Sequence, residues 1–258
     1  QRDQWLKASK SELDSMLANG VFRAIDRSNL HRGRRCMSSV WVLDVKQKPG
    51  GTIDRYKARL CARGFLQVPG KDYKETFAPV AKMTTVRMLL AVAAALDLEI
   101  DHIDIKTAFL HGDLDEDIFM HVPQGFDLPP GMILQLLKSL YGLKQASRAW
   151  NAKLHSVLLE FGFTQSSADP CLYYHPVHKV WLLVYVDDLF VLRPSSFAMS
   201  TLVDFLRANG LKVGAADTLT YFIGLEVIRE RSTKLVRIHQ RRYILDILAR
   251  FGMTDCNT

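Results

Sequence analysis

Asp187 and Asp188 stand side by side in "VYVDDLFVL" (184–192), between Trp181-Leu182-Leu183-Val184 on one side and Leu189-Phe190-Val191-Leu192 on the other. Two apolar arms of strand length around two polar residues describe a β-hairpin with Asp187-Asp188 at its turn. A turn by itself does not ask for this pair, because Asn-Gly or Asp-Gly turns more easily and neighbouring negative charges repel. Crowded carboxylates raise each other's pKa unless a cation neutralises them, and hard oxygen donors suit Mg²⁺ or Mn²⁺. Asp104, in "DIKTAF", supplies a third carboxylate at the end of a different strand. One aspartate from one strand and a pair from a neighbouring hairpin can hold two divalent ions on a shared edge. That arrangement activates an attacking hydroxyl and stabilises a leaving pyrophosphate. On the residues alone, a plain turn and a surface aspartate at a strand end stay open as the competing reading, and Asp101 is assigned that surface role.

The elements that must hold these carboxylates follow from periodicity. "LEIDHIDIKTAF" (98–109) begins as a strand with Ile100, His102 and Asp104 on one face. An amphipathic helix carries Trp5, Leu13 and Met16-Leu17 and stops at Asn19-Gly20. Val40 to Val45 and Tyr56 to Ala62 read as a basic hairpin with Pro49-Gly50-Gly51 at its tip. Thr84-Thr85 can cap a core helix running to Leu96, and Ala146 to Phe161 has helical spacing with Gly162 as terminator. A helix around Phe197 to Asn209, a strand around Tyr221 to Ile228 and a final amphipathic helix in "HQRRYILDILARFGM" complete the pass. The mixed order predicts an α+β fold.

At 258 residues and 48% hydrophobic, the chain can bury a substantial core. Its apolar runs are too short to span a bilayer, so no membrane role is expected. The start at Gln1 reads as a cut from a longer polypeptide. Cys36, Cys61, Cys171 and Cys256 lack zinc-site spacing, which predicts ordinary thiols. The net charge of +7 is concentrated in the first third, from Arg23 to Lys71, and favours a polyanion partner.

In order along the chain come "RYKARLCARGF" (55–65), "DYKETFAPV" (72–80), "DIKTAFLHGDL" (104–114), "VPQGF" (122–126), "LYGLKQASRAW" (140–150), "YVDD" (185–188), "YFIGLEV" (221–227) and "YILDILARFGM" (243–253). With these motifs, over nearly its whole length, the chain resembles the reverse transcriptase domain of Ty1/copia-type LTR retrotransposon polyproteins. The resemblance implies a right-hand polymerase architecture of fingers and palm, the palm an antiparallel sheet backed by helices, with the thumb absent or truncated. Fingers would take residues 1–79 and 112–149, the palm 80–111 and 150–230, and 231–258 would form a helix leading toward the thumb or connection.

By the same resemblance, Asp104, Asp187 and Asp188 form the polymerase carboxylate set. Asp104 and Asp187, with the Ile105 carbonyl, would be the metal ligands for two Mg²⁺ ions, Mn²⁺ being a substitute, and Asp188 would be accessory through its charge. Phe109 would be the steric gate against a ribose 2′-hydroxyl. Lys57 and Arg59 alternate onto one face of the basic hairpin, and with Lys46 and Lys48 they would clamp the dNTP triphosphate. Gly142 would let backbone approach the incoming base pair, with Lys144 and Gln145 by template or nucleotide. Tyr185, Tyr221, Phe222 and Gly224 would lie along the primer.

Two positions depart from the family pattern: Gly214 stands where a lysine is common, with Lys212 displaced by two, and Ser147 where proline is usual. The first puts proton donation by Lys212 in doubt. The expected activity is RNA-directed DNA synthesis on an RNA template and DNA primer, within a polyprotein that also carries RNase H and integrase. A cytoplasmic, particle-associated location is implied by the family alone. A catalytically silent, domesticated nucleic-acid-binding remnant is the alternative, and a nuclease using the same phosphoryl-transfer chemistry is a remoter one.

Overall fold

The computed structural model describes residues 1–31, 33–47 and 52–256; Lys48 and the Pro49-Gly50-Gly51 tip lie outside the described residues. In chain order the first elements are helix α1 (Arg2–Ala18), strands β1 (Phe22–Asp26), β2 (Cys36–Met37), β3 (Ser39–Gln47) and β4 (Ile53–Ala62), helix α2 (Met83–Ala95), and strands β5 (Glu99–Ile105), β6 (Asp113–Met120) and β7 (Met132–Lys138). Helix α3 (Ala146–Phe161) and strands β8 (Thr164–Gln165), β9 (Leu172–His175), β10 (Val180–Tyr185) and β11 (Asp188–Arg193) follow. Helix α4 (Met199–Ala208), strands β12 (Val213–Thr218), β13 (Tyr221–Phe222), β14 (Leu225–Glu230) and β15 (Leu235–His239), and helix α5 (Arg241–Arg250) complete the chain. The class is mixed α and β, as the order of signals predicts.

Chain contacts divide these elements into two units, Gln1–Ala78 with Thr107–Val157, and Pro79–Lys106 with Leu158–Thr258. In the first unit β1, β7, β6 and β2 form one sheet, and β3 and β4 a separate two-stranded ribbon. Its core gathers Met16, Leu60, Leu110, Met120, Leu134 and Leu140, all fully buried. Leu60 reaches that core because alternation along β4 puts Tyr56, Ala58, Leu60 and Ala62 on one face, where Trp5 of α1 meets Tyr56 edge-on at 4.6 Å.

In the second unit β12, β5, β11, β10, β9 and β8 form one antiparallel sheet, and β13, β14 and β15 a smaller one. Leu182-Leu183 on β10 and the run Leu189 to Leu192 on β11 are buried on both faces, which is why these arms read as uninterrupted apolar sequence rather than as alternation.

Three expectations change. The helix over 83–95 is not capped by Thr84 or Thr85. Its first turn is held instead by the carboxylate of Asp169, which accepts from the Lys82 amide at 3.1 Å and the Thr85 hydroxyl at 2.6 Å. This buried acceptor from a distant loop satisfies one backbone N–H and one side-chain hydroxyl at the start of the helix. The span 221–228 is two strands, because Ile223 (φ 40°) and Gly224 (φ 86°) turn the chain between β13 and β14. Residues 235–239, expected in a terminal helix, are instead a strand paired with β14, and helix begins at Arg241. Val236 and Ile238 are β-branched residues that suit a ladder.

His175 shows how tightly the second unit is closed around a titratable group. It is 6% exposed, its ring lies 4.4 Å from that of His178, and its Nδ1 accepts from the His178 amide at 3.2 Å. Burial first, and the neighbouring His178 second, push its pKa down. The unfolded chain therefore takes up the proton before the folded one does. This contribution to stability is complete above the ordinary histidine pKa, about 6.5, and is lost as pH falls below it toward the folded value. Denaturation midpoints measured from pH 7.5 down to pH 5 should fall for the wild type and fall less for His175→Phe; parallel curves would contradict the assignment.

Candidate active site

One strand register sets Asp104 and Asp188 side by side. Asp188 pairs directly with Asp104 across β11 and β5, so both side chains stand on the same face. Along that face the paired residues run from Leu192 and Ile100, through Phe190 and His102, to Asp188 and Asp104. An apolar core thus gives way to an acidic edge within three steps. The amide of Ile105 donates to the Asp187 carbonyl at 2.8 Å, which ties the hairpin tip to the end of β5.

The tip itself differs from the expectation. Tyr185 pairs with Asp188, so the turn residues are Val186 and Asp187, and Asp188 already belongs to β11. In this register Leu182 is paired with Val191 and Leu183 with Phe190, all fully buried. Its consequence is Val186 at φ 56°, a β-branched residue in the left-handed region, where strain runs to about 1–3 kcal/mol.

His102 and Asp217 join the cluster. His102 Nε2 lies 2.8 Å from Asp188 Oδ1, and Asp217 of β12 is paired opposite His102 on the other side of β5. The hydrogen bond to Asp188 raises the His102 pKa, helped by the charges of Asp188, Asp104 and Asp217 and opposed by burial. Asp101 is not the surface residue expected. It is 8% exposed on the opposite face of β5, and Arg193 Nε donates to it at 2.7 Å. Alternation along the strand sends it inward, where an unpaired carboxylate would be costly.

Gly214 sits against Asp104: a Cβ placed there would come 3.6 Å from the Asp104 carboxylate and 3.1 Å from its carbonyl oxygen. The space beside Asp104 is kept open by the very residue that departs from the family pattern. Lys212 is anchored nearby through its carbonyl, which accepts from the Lys106 amide at 2.8 Å. As a donor set, Asp104 and Asp187 offer hard oxygens at adjacent strand ends, which fits a Mg²⁺-type cation. Among the described residues, no three His, Cys, Asp or Glu side chains already close on a single point.

Of the remaining second-unit residues, Tyr185 is half-buried and its ring lies 6.3 Å from that of Phe222. Tyr221 is exposed, with the Arg242 guanidinium 5.6 Å over its ring. Phe222 is 2% exposed, packed in the core beside Phe190, so its side chain holds β13 down rather than facing a primer.

In the first unit the β3–β4 register places Lys46, Lys57 and Arg59 on one face, opposite Arg55, Asp44 and Val42 respectively. Lys46 pairs with Asp44 at 2.6 Å. Arg55 joins this face unforeseen; its place follows from alternation with Lys57. Tyr141, also unforeseen, gathers two expected residues: the Arg59 guanidinium lies 5.6 Å over its ring, and Phe109 meets it edge-on at 5.5 Å.

Gly142 follows Tyr141 with φ 86°, and a Cβ there would stand 2.2 Å from the Ala62 carbonyl oxygen. The close approach is between this turn and β4, locked by Ala62 N–H to Tyr141 O at 2.8 Å. Lys144 has its ammonium 6.0 Å over the Tyr73 ring. Gln145 is 3% exposed, its amide donating to the Asp72 carbonyl and to Glu116 and accepting from Gln67. It braces the loop instead of presenting its amide.

The description "Reverse transcriptase (RNA-dependent DNA polymerase)" matches residues 20–258. Over 99% of its length the chain is 37% identical to the "Retrovirus-related Pol polyprotein from transposon TNT 1-94" of Nicotiana tabacum, and over 97% it is 37% identical to that from transposon RE1 of Arabidopsis thaliana. Over 90% it is 25% identical to the "Transposon Ty1-ER2 Gag-Pol polyprotein" of Saccharomyces cerevisiae. The chain spans 19%, 17% and 13% of these relatives' lengths.

Gly142→Ala adds a methyl group inside the Ala62 carbonyl at a backbone conformation alanine resists, and should cost about 2–4 kcal/mol. Urea denaturation followed at Trp41 or Trp150 in the first unit would register it; a loss under about 0.5 kcal/mol would show that the turn relaxes freely.

Proposed function

The chain belongs to the reverse transcriptase (RNA-dependent DNA polymerase) family, and from that premise we propose that it is the polymerase domain of a Ty1/copia-like retrotransposon polyprotein, joining dNTPs to a primer 3′-hydroxyl on an RNA template. The observation that carries the reading is the Asp104–Asp188 register together with the Ile105–Asp187 hydrogen bond, which sets the expected carboxylates at adjacent strand ends. The palm is read over 80–111 and 150–230 and the fingers over 1–79 and 112–149, ranges that fall for the most part in the second and the first unit respectively.

In this mechanism Asp104 and Asp187, with the Ile105 carbonyl, would hold two Mg²⁺ ions, for which Mn²⁺ could substitute. That group would supply a lowered pKa for the primer hydroxyl and neutralisation of the charge on the leaving pyrophosphate. The protein's own contribution is position. Asp188 adds negative charge to the edge without standing at the tip. Lys46, Lys57, Arg55 and Arg59 present a cationic face for a triphosphate, Lys48 of the same expected set lying outside the described residues. Phe109, braced on Tyr141, gates the sugar, and the turn at Gly142, seated on β4, lies by the incoming base pair. The new 3′-O–Pα bond forms as the Pα–O bond to pyrophosphate breaks, and the proton of the 3′-hydroxyl passes to solvent water.

Tyr185, Tyr221 and Gly224 lie along the primer, and Lys144 by template or nucleotide. Template and primer are held through phosphates and A-like duplex shape, so binding falls with salt. RNase H and integrase would be supplied by the rest of the polyprotein, and a cytoplasmic particle is the proposed setting.

Primer extension on an RNA template tests the assignment. Asp187→Asn should lower dNTP incorporation at least about 10³-fold with an unchanged circular dichroism spectrum; comparable rates in that variant would refute the ligand role. Phe109→Val should raise ribonucleotide use relative to dNTP by about 10-fold or more, and an unchanged ratio would remove Phe109 as the gate.

A further inference from the structure

His102 lies among the carboxylates, yet the reaction as described above gives it no role. It stands two residues before Asp104 and therefore on the same face of β5, with Phe190 paired on one side and Asp217 on the other. Its ring meets the buried Phe222 edge-on at 6.3 Å, which limits how it can turn. Its Nε2 reaches Asp188 Oδ1 at 2.8 Å on the diagonal of the antiparallel pair, the two side chains being 29% and 35% exposed.

The need for such a donor is electrostatic. Asp104 and Asp188 are directly opposed, where like charges destabilise a strand pair and push the more mobile carboxylate away. Asp188 is exposed enough to swing into water, and its charge would then leave the edge.

We propose that His102 is a positioning residue: its Nε2–H donates to Asp188 and keeps that carboxylate beside Asp104, so that its charge stays at the edge where Asp104 and Asp187 would hold cations. The inference rests on the polymerase reading for its kinetic arm alone. Partners that orient groups around a metal site typically change affinity or activity by about 10–100-fold when removed.

The test uses the full chain with His102→Leu, His102→Gln, Asp188→Asn and the His102→Leu/Asp188→Asn double variant. Direct Mn²⁺ binding, followed by electron paramagnetic resonance of the free ion, should weaken about 10-fold or more in His102→Leu. It should recover in His102→Gln, whose amide can still donate. The double variant should bind Mn²⁺ no more weakly than Asp188→Asn, because the histidine acts through that carboxylate.

In primer extension the same series should move kcat and leave the KM for dNTP nearly unchanged. Wild-type Mn²⁺ affinity in His102→Leu, a His102→Gln variant as weak as His102→Leu, or additive losses in the double variant would each overturn the proposal. A wild-type chain that binds Mn²⁺ but extends no primer would refute the polymerase reading, while the binding series would still decide the role of His102.

Discussion

The pairing of β5 with β11 is the constraint on which the candidate site depends. Strand side chains alternate, so a shift of one residue would send Asp188 to the far face and leave Asp104 opposite an apolar neighbour. What prevents the shift is the burial of Ile100, Phe190 and Leu192 one or two steps along the same ladder. At about 1.5–3 kcal/mol for each large apolar side chain removed from water, those contacts outweigh the repulsion between two half-exposed carboxylates. Catalytic chemistry is thereby held in place by residues that take no part in it.

Val186 carries a cost of the same design. The pairing of Tyr185 with Asp188 between β10 and β11 leaves two residues for the turn, and the first adopts a positive φ without being glycine. Such strain persists where its surroundings over-determine it, here the buried arms of β10 and β11 and the bond from Ile105 to Asp187. A glycine would turn more easily, but it would also widen the conformations open to Asp187.

The first unit is organised around a close backbone approach. Gly142 and Gly64 lie where any side chain would strike backbone: a Cβ on Gly64 would stand 1.9 Å from the Gly142 carbonyl oxygen, and one on Gly142 would strike Ala62. Seating the "LYGLKQ" turn on the end of β4 brings Tyr141 under Arg59 and against Phe109. The buried Gln67, Asp72 and Gln145 network braces the same turn from behind. Residues far apart in sequence become one surface through that contact.

From the sequence alone came the element types with local periodicity, the α3 helix from Ala146 to Phe161 and the β3–β4 ribbon among them, and the three aspartates whose types point to cation chemistry. Local order is written in nearest-neighbour patterns of polarity, and these were legible. The sequence could not assign Asp101, His102 and Phe222. One is a buried partner of Arg193, the next a donor to Asp188, the last a core residue at a strand expected along a primer. Nor could it show that Asp169 would cap a helix more than eighty residues away, or that Val186 and not Asp188 would occupy the turn. Those outcomes depend on which strands lie side by side and in what register, and that is decided by the burial of the whole sheet.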